Sequence, residues 1–210
     1  QLFGLSAPLL LDSTGQKMGK TSTGERLWLA RARTPAFEFY KYWFNVSDED
    51  APRLVRIFSL RPLAELDELL AAHDRDRAPR TAQRELARAL TSWVHGDAAV
   101  ARVETANRVF ATGTLDGLDL GQLAALAETI PTIDIPKSEL AAGIGIVDLL
   151  ARTVTDSKSD ARRTIQQGGA YVNNARVSDD KQKIGADALI HGMMMLVRSG
   201  KKSLRLVCAV

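Results

Sequence analysis

The sequence predicts a mainly α-helical first part followed by a smaller, basic α+β part. Three observations carry that expectation. Between residues 34 and 129, apolar residues recur at helical spacing in segments opened by Pro, Ser or Asp and closed by Gly. At 130–136 the run Ile-Pro-Thr-Ile-Asp-Ile-Pro brings in β-branched residues and two prolines, and the helical period stops. Beyond it, short alternating runs at 170–172, 194–198 and 203–208 are separated by Gly and Asn turn signals.

Composition sets broad limits. A chain of 210 residues suits one large domain or two small ones. Its 45% apolar and 25% charged content is that of a globular protein. No stretch nears the roughly 20 apolar residues of a membrane span, so no membrane partner is expected. Residues 1–11 are apolar but lack the charged segment and small-residue cleavage site of a signal peptide. The chain opens on Gln1 inside that apolar run and is expected to begin mid-protein. Cys208, the single cysteine, allows neither an internal disulfide nor a multi-cysteine zinc site, and fits a reduced, cytoplasmic setting. His73, His95 and His191 are too far apart for a local metal motif and read as surface or helix-end residues. No metal site is expected. The net charge of +3 hides an asymmetry: residues 151–210 hold 11 Lys and Arg against 5 Asp and Glu. A basic end on a mildly acidic body is the electrostatic footprint of a nucleic-acid-binding module.

In chain order, residues 1–33 centre on a loop, Asp12-Ser-Thr-Gly15 followed by Lys17-Met18-Gly19-Lys20-Thr21. Gly15 supplies a positive φ, and Asp12 and Ser13 are expected to close local side-chain hydrogen bonds. Two ammonium groups flank a flexible Gly19, an arrangement suited to transient phosphate contact. Thr34 reads as an N-cap with Pro35 at the first position of a helix over 36–45. Its dense aromatics, at 37, 39, 40, 42, 43 and 44, read as core, with one exposed member as the alternative base-stacking platform. Ser47 and Asp50 form a capping-box pattern opening a helix through 59, with Leu54, Ile57 and Phe58 inward. Pro62 starts a helix over 63–73 with Leu63, Leu66, Leu69 and Leu70 on one side. After a polar connector, Pro79 opens a helix to His95 whose buried stripe is Leu86, Leu90, Trp93 and Val94. His95 there suits the negative end of the helix dipole. Gly96 ends that helix and Asp97 caps the next, which runs to Gly113. Residues 34–129 thus form an antiparallel helical bundle without a catalytic cluster.

Residues 130–142 read as an extended, partly stiff linker to a final domain over 143–210. There Gly143 and Gly145 precede an apolar helix over 146–151. Ser157 and Asp160 cap a second helix, which turns Ala161 and Ile165 to a core and carries Lys158 and Arg162, with Gln166 one turn on, along another face. Gly168-Gly169 stops it, residues 170–172 make a short strand, and Asn173-Asn174 a tight turn. Two strands joined through 199–202 place Lys201 and Lys202 at a basic hairpin tip. Met193, Met194 and Met195 read as core or edge filler.

Two stretches carry a resemblance. The run Pro8-Leu-Leu-Leu-Asp-Ser-Thr-Gly-Gln-Lys-Met-Gly-Lys-Thr21, with Phe3-Gly4-Leu5 before it and Trp28-Leu29 after, resembles the KMSKS signature loop of class I aminoacyl-tRNA synthetases in its tyrosyl form. Gly19 and Thr21 stand where that signature has Ser. The string Ser157-Lys-Ser-Asp-Ala-Arg-Arg-Thr-Ile-Gln-Gln-Gly168, then Tyr171-Val-Asn, is similar to the alpha-L RNA-binding motif, which occurs at the C-terminus of bacterial tyrosyl-tRNA synthetases. Between them, Thr34-Pro35, Phe39-Tyr-Lys-Tyr-Trp43 and Asn45 before an acidic helix start resemble that family's helical anticodon-binding domain.

The resemblance covers essentially the whole chain and has consequences for each part. Residues 1–33 would be the end of a catalytic domain, with Lys17 and Lys20 catalytic and 17–21 (Lys17, Met18, Gly19, Lys20, Thr21) closing over ATP, which enters with Mg2+ as a substrate complex. Asp48 or Asp50 would read the first anticodon base. Lys158, Arg162 and Arg163, with Gln166, Lys201 and Lys202 beside them, would contact the anticodon stem and variable arm of tRNA(Tyr). The full enzyme would join L-tyrosine to that tRNA and act as a homodimer. These 210 residues lack a His-x-x-His adenine signature and are expected to bind RNA without making tyrosyl-adenylate. The alternative is a non-enzymatic RNA-binding protein built from the same modules.

Overall fold

A computed structural model describes residues 2–15, 17–18, 26–200 and 203–210. The chain divides into two units, Gln1–Val103 and Glu104–Val210, each with its own core.

The first unit is helical. Residues 2–9 form neither helix nor strand, and Leu2, Phe3 and Leu5 stand exposed. Helix α1, Ala36–Phe44, is preceded by Pro35 at the N-cap position with φ −55° and ψ 150°. Thr34 is therefore one residue too early to cap it, and its Oγ1 accepts the Trp28 backbone N–H at 3.0 Å instead. Phe39 and Tyr40 are buried, and Phe37, Tyr42, Trp43 and Phe44 half-buried. The aromatics are core, and none of them offers an exposed platform.

Helix α2, Ala51–Phe58, begins after a turn at 48–50. The Ser47–Asp50 pair forms, as the last turn ahead of the helix. Its inward face is Ala51, Leu54 and Val55; Ile57, expected inward, is 52% exposed. The helical stripe through 51, 54, 55 and 58 leaves position 57 rotated off it. Helix α3, Leu63–Arg75, buries Leu66, Leu70 and His73 and leaves Leu63 exposed. His73 corrects the surface reading: it continues the 66–70 stripe at helical spacing and is fully enclosed.

Helix α4, Thr81–His95, packs on α1, α2 and α3 through Ala82, Leu86 and Leu90. Val94, four on from Leu90, is half-buried, while Trp93 lies off the stripe and is 51% exposed. Gly96 ends α4 at φ 83°. The next helix, α5, spans Asp97–Thr112, and its Val103 packs with Tyr40 and Ala87.

In the second unit α6, Leu120–Leu126, is opened by a complete capping box between Asp119 and Gln122. Residues 130–142, read from sequence as a linker, are built into the fold instead. Strand β1, Thr132–Ile135, pairs in parallel with the last strand of the chain, and α7, Lys137–Ala142, follows. The prolines only flank the strand, where a missing N–H breaks no ladder bond. Then come β2 (Ile144–Gly145), α8 (Ile146–Thr153), α9 (Lys158–Gln166), β3 (Ala170–Val172), β4 (Ala175–Arg176), β5 (Lys183–Ile184), β6 (Met194–Ser199) and β7 (Ser203–Ala209). The main sheet has the order β1-β7-β6-β3-β4, antiparallel apart from β1–β7, and β2 pairs with β5. Its core joins Ile146, Leu149 and Leu150 of α8, Ala161 and Ile165 of α9, and Met195, Val197 and Val207 of the sheet. Asn173 and Asn174 take φ 46° and 65° in the β3–β4 turn.

Candidate functional site

Residues 17 and 18 fold back on residues 10 and 11. Leu11 and Lys17 form an antiparallel bridge, and the Met18 N–H reaches Leu10 O at 3.0 Å. At the tip, Gly15 with φ 82° donates its N–H to Asp12 O (3.0 Å), and Asp12 Oδ1 accepts the Thr14 N–H (2.9 Å). Leu10 and Met18 pack against the helical core, while Lys17 is exposed. Met18 also lines an open cleft of about 590 Å³ with Arg26, Arg33, Glu38, Lys41 and Tyr42. Gly19, Lys20 and Thr21 lie outside the described residues.

Ser13, expected to bond locally, reaches across to the helices: its Oγ donates to Asp50 Oδ2 at 3.1 Å. Ser47 Oγ donates to the same oxygen (3.0 Å), and Arg53 Nη2 donates to Asp50 Oδ1 (3.1 Å) and to Leu11 O. Burial by itself would raise the Asp50 pKa. Hydrogen bonds from the Ser13 backbone, the Ser47 and Ser13 hydroxyls and Arg53 outweigh it and hold the carboxyl below the usual carboxylate range.

Asp48 is placed differently. It is half-buried, accepts Gln83 Nε2 at 2.5 Å through Oδ1, and lines an open pocket of about 470 Å³ with Asn45, Ser47, Arg77 and Arg80. Arg80 is held by its bond to Val46 O (3.2 Å) and by stacking over Phe44 at 5.0 Å. A carboxylate acceptor beside two guanidinium groups can take a base N–H and a phosphate together.

The expected basic helix is α9, with Ser157 Oγ accepting the Asp160 N–H at 3.1 Å as its cap. Lys158, Arg162, Arg163 and Gln166 are all exposed. Lys158 pairs with Asp148 at 2.6 Å, and this bond holds the Asp148 carboxyl below its usual range. Arg163 pairs with Asp160. Lys201 and Lys202 lie outside the described residues.

The sheet adds two arginines that sequence reading did not single out, beside Tyr171 of the motif. Tyr171 is the register partner of both Arg176 on β4 and Arg198 on β6, so the three share one face. Arg198 stacks over the Tyr171 ring at 4.1 Å. Only the register, set by long-range pairing, reveals this row. Arg77 and Arg80 had no local signal either, because they belong to a polar connector and a helix start. Gly168 has φ 69°, and a Cβ there would meet Arg176 Nη2 at 1.5 Å. Among the described residues, no three His, Cys, Asp or Glu side chains cluster as a metal site, and no helix is long and apolar enough to cross a membrane. His95 closes α4 with its ring edge-on to Phe39 at 4.9 Å. Burial, and then the charge of Arg31, lower its pKa, against the rise that the negative end of the helix dipole alone would give.

Comparison with known proteins matches this layout along the chain. Residues 1–111 match the family model described as tRNA synthetases class I (W and Y). Residues 122–207 match the model described as the tyrosine–tRNA ligase SYY-like C-terminal domain. The tyrosine–tRNA ligase of Rhodopirellula baltica is 40% identical over 209 residues, 99% of this chain and 48% of that protein. Those of Roseiflexus castenholzii and Thermobifida fusca are 37% and 40% identical, over 98% and 95% of this chain and 49% and 46% of theirs. The chain thus spans about half the length of the curated relatives it matches.

Proposed function

The chain belongs to the class I tRNA synthetases of the tryptophanyl and tyrosyl kind and carries a tyrosine–tRNA ligase C-terminal domain; from that premise we propose that it supplies the ATP loop and the tRNA-binding surfaces of a tyrosine–tRNA ligase. The observation that carries the reading is the return of residues 17–18 onto 10–11, which presents Lys17 outward from a base packed on the helical core. In the full ligase a tyrosine carboxylate oxygen attacks the α-phosphorus of Mg-ATP, and the bond to pyrophosphate breaks. Negative charge then grows on the leaving group. The ammonium groups of Lys17 and Lys20 meet that charge, with Met18, Gly19 and Thr21 forming the rest of the closing loop. The tRNA surfaces supply binding energy remote from the reacting atoms and select the substrate.

Asp48 accepts an N–H from the first anticodon base while Arg77 and Arg80 hold the neighbouring phosphate. Lys158, Arg162, Arg163 and Gln166, with Lys201 and Lys202, contact the anticodon stem and variable arm. Arg176 and Arg198 extend that surface across the sheet. The ligase acts in the cytoplasm as a homodimer.

The test has two limbs. Binding of tRNA(Tyr) by this chain should weaken steeply with salt as counterions are released; flat salt dependence overturns the RNA reading. In the full-length ligase, Lys17→Ala and Lys20→Ala should slow tyrosine-dependent ATP–pyrophosphate exchange and keep tRNA affinity. Arg162→Ala and Arg163→Ala should weaken tRNA binding first. Impairment of the same step by both pairs removes the proposed division of labour.

A further inference from the structure

We propose that Asp50 is a positioning residue for the lysine loop: with Arg53 it clamps the loop's first limb onto the start of α2, so that Lys17 projects from a fixed base. The inference rests on the ATP-loop reading above and names the device that orients it.

The Asp50 side chain is 8% exposed. A carboxylate so enclosed keeps its charge only where hydrogen-bond donors replace water. Those donors are Ser13 on the loop, 37 residues before Asp50, and Ser47 and Arg53 beside the carboxylate. The Arg53 guanidinium then donates to Leu11 O, and Leu11 is the bridge partner of Lys17. The linkage therefore runs from the helical unit through Asp50 and Arg53, across Leu11 and Ser13, to the bridge residue that carries the ammonium group. Charge-assisted bonds of this kind are roughly twice as strong as neutral ones.

The same geometry divides the two acidic residues of the 48–50 turn. Asp50 also lines the cleft of about 590 Å³, but both its oxygens are bonded to donors within the protein, which leaves little for a base. Asp48 lines the open pocket with Arg77 and Arg80 and is the anticodon-facing acid.

The clamp is tested first in this chain, without reference to catalysis. Ser13→Ala removes the hydroxyl's share of the loop's end of the linkage, from an exposed residue, and leaves the Ser13 backbone bond, the Arg53 bond to Leu11 O and the α2 packing intact. It should speed hydrogen exchange at the Gly15 and Met18 amides by about tenfold, the size of one charged hydrogen bond. Asp50→Asn should do the same, and Ser13→Thr, which keeps the hydroxyl, should restore the slow rate. Unchanged exchange in both Ser13→Ala and Asp50→Asn overturns the clamp.

In the full-length ligase, Ser13→Ala and Asp50→Asn should lower kcat for pyrophosphate exchange about tenfold with the KM for tyrosine unmoved, because the loop acts on the transition state. If Lys17→Ala slows exchange but the two clamp variants match the parent enzyme, the positioning role falls and the ATP-loop reading stands. If Lys17→Ala itself matches the parent, the ATP-loop reading falls and this role falls with it.

Discussion

Single residues in this chain owe their roles to neighbours that are distant in sequence. The depressed pKa of Asp50 means that its stabilising contribution is complete above the ordinary carboxylate value of about 4 and is lost as pH falls through the lowered folded value. His95 behaves alike for a different reason. Enclosure and Arg31 disfavour its cation, so its contribution is complete above the ordinary histidine value of about 6.5 and fades as pH drops through the lowered one. The melting temperature should therefore fall between pH 7.5 and 5.5, and His95→Gln should flatten that slope in thermal unfolding followed by tryptophan fluorescence. Gly168 is a third case. Ala there should cost about 1 kcal/mol through its positive φ, and more as Arg176 is displaced. Denaturant titration measures the first effect, and weaker tRNA binding at fixed salt the second.

Among the elements, the helices were the most legible. Proline and serine starts, Gly96 and the apolar spacing locate α1 to α4 within a few residues, and the errors follow from the helical period. Trp93 and Ile57 were read inward because they are large and apolar, but their angular positions take them off the buried stripe. The α9 helix was legible down to its Ser157 cap and its inward Ala161 and Ile165. Replacing Arg162 by Ala should lower tRNA affinity uniformly across RNA sequences and reduce the salt slope by about 1, as expected for one phosphate contact. Strand β1 was not legible. Its sequence reads as a stiff connector, and only its parallel pairing from Thr132↔Leu206 to Ile135↔Ala209 makes it a strand.

At the scale of the molecule, two units with cores of their own and an uneven charge follow from the same chain. All three tryptophans, Trp28, Trp43 and Trp93, belong to the first unit, so their fluorescence reports on that unit alone. Leu86→Ala should destabilise the fluorescence-detected transition by about 2–5 kcal/mol. Leu149→Ala, a fully buried residue of the second unit, should move the circular-dichroism transition and leave the fluorescence one in place. Coincident shifts would mean that the units unfold together. The basic end was plain from counting charges, since net charge needs no fold to be read.

The sequence alone determined what depends on near neighbours: helix periods and caps, the Asn173-Asn174 turn, the lysine loop, the basic face of α9 and the family resemblance. Tertiary structure decided what depends on pairing across the chain. It turned residues 132–135 into a strand, aligned Tyr171 with Arg176 and Arg198, enclosed His73, and separated Asp48 from Asp50. Two acids in one short turn look alike in sequence. Asp50 has both oxygens bonded, to Ser13, Ser47 and Arg53, while Asp48 meets Gln83 and the pocket of Arg77 and Arg80, because the fold brings the loop to one side of that turn and α4 to the other.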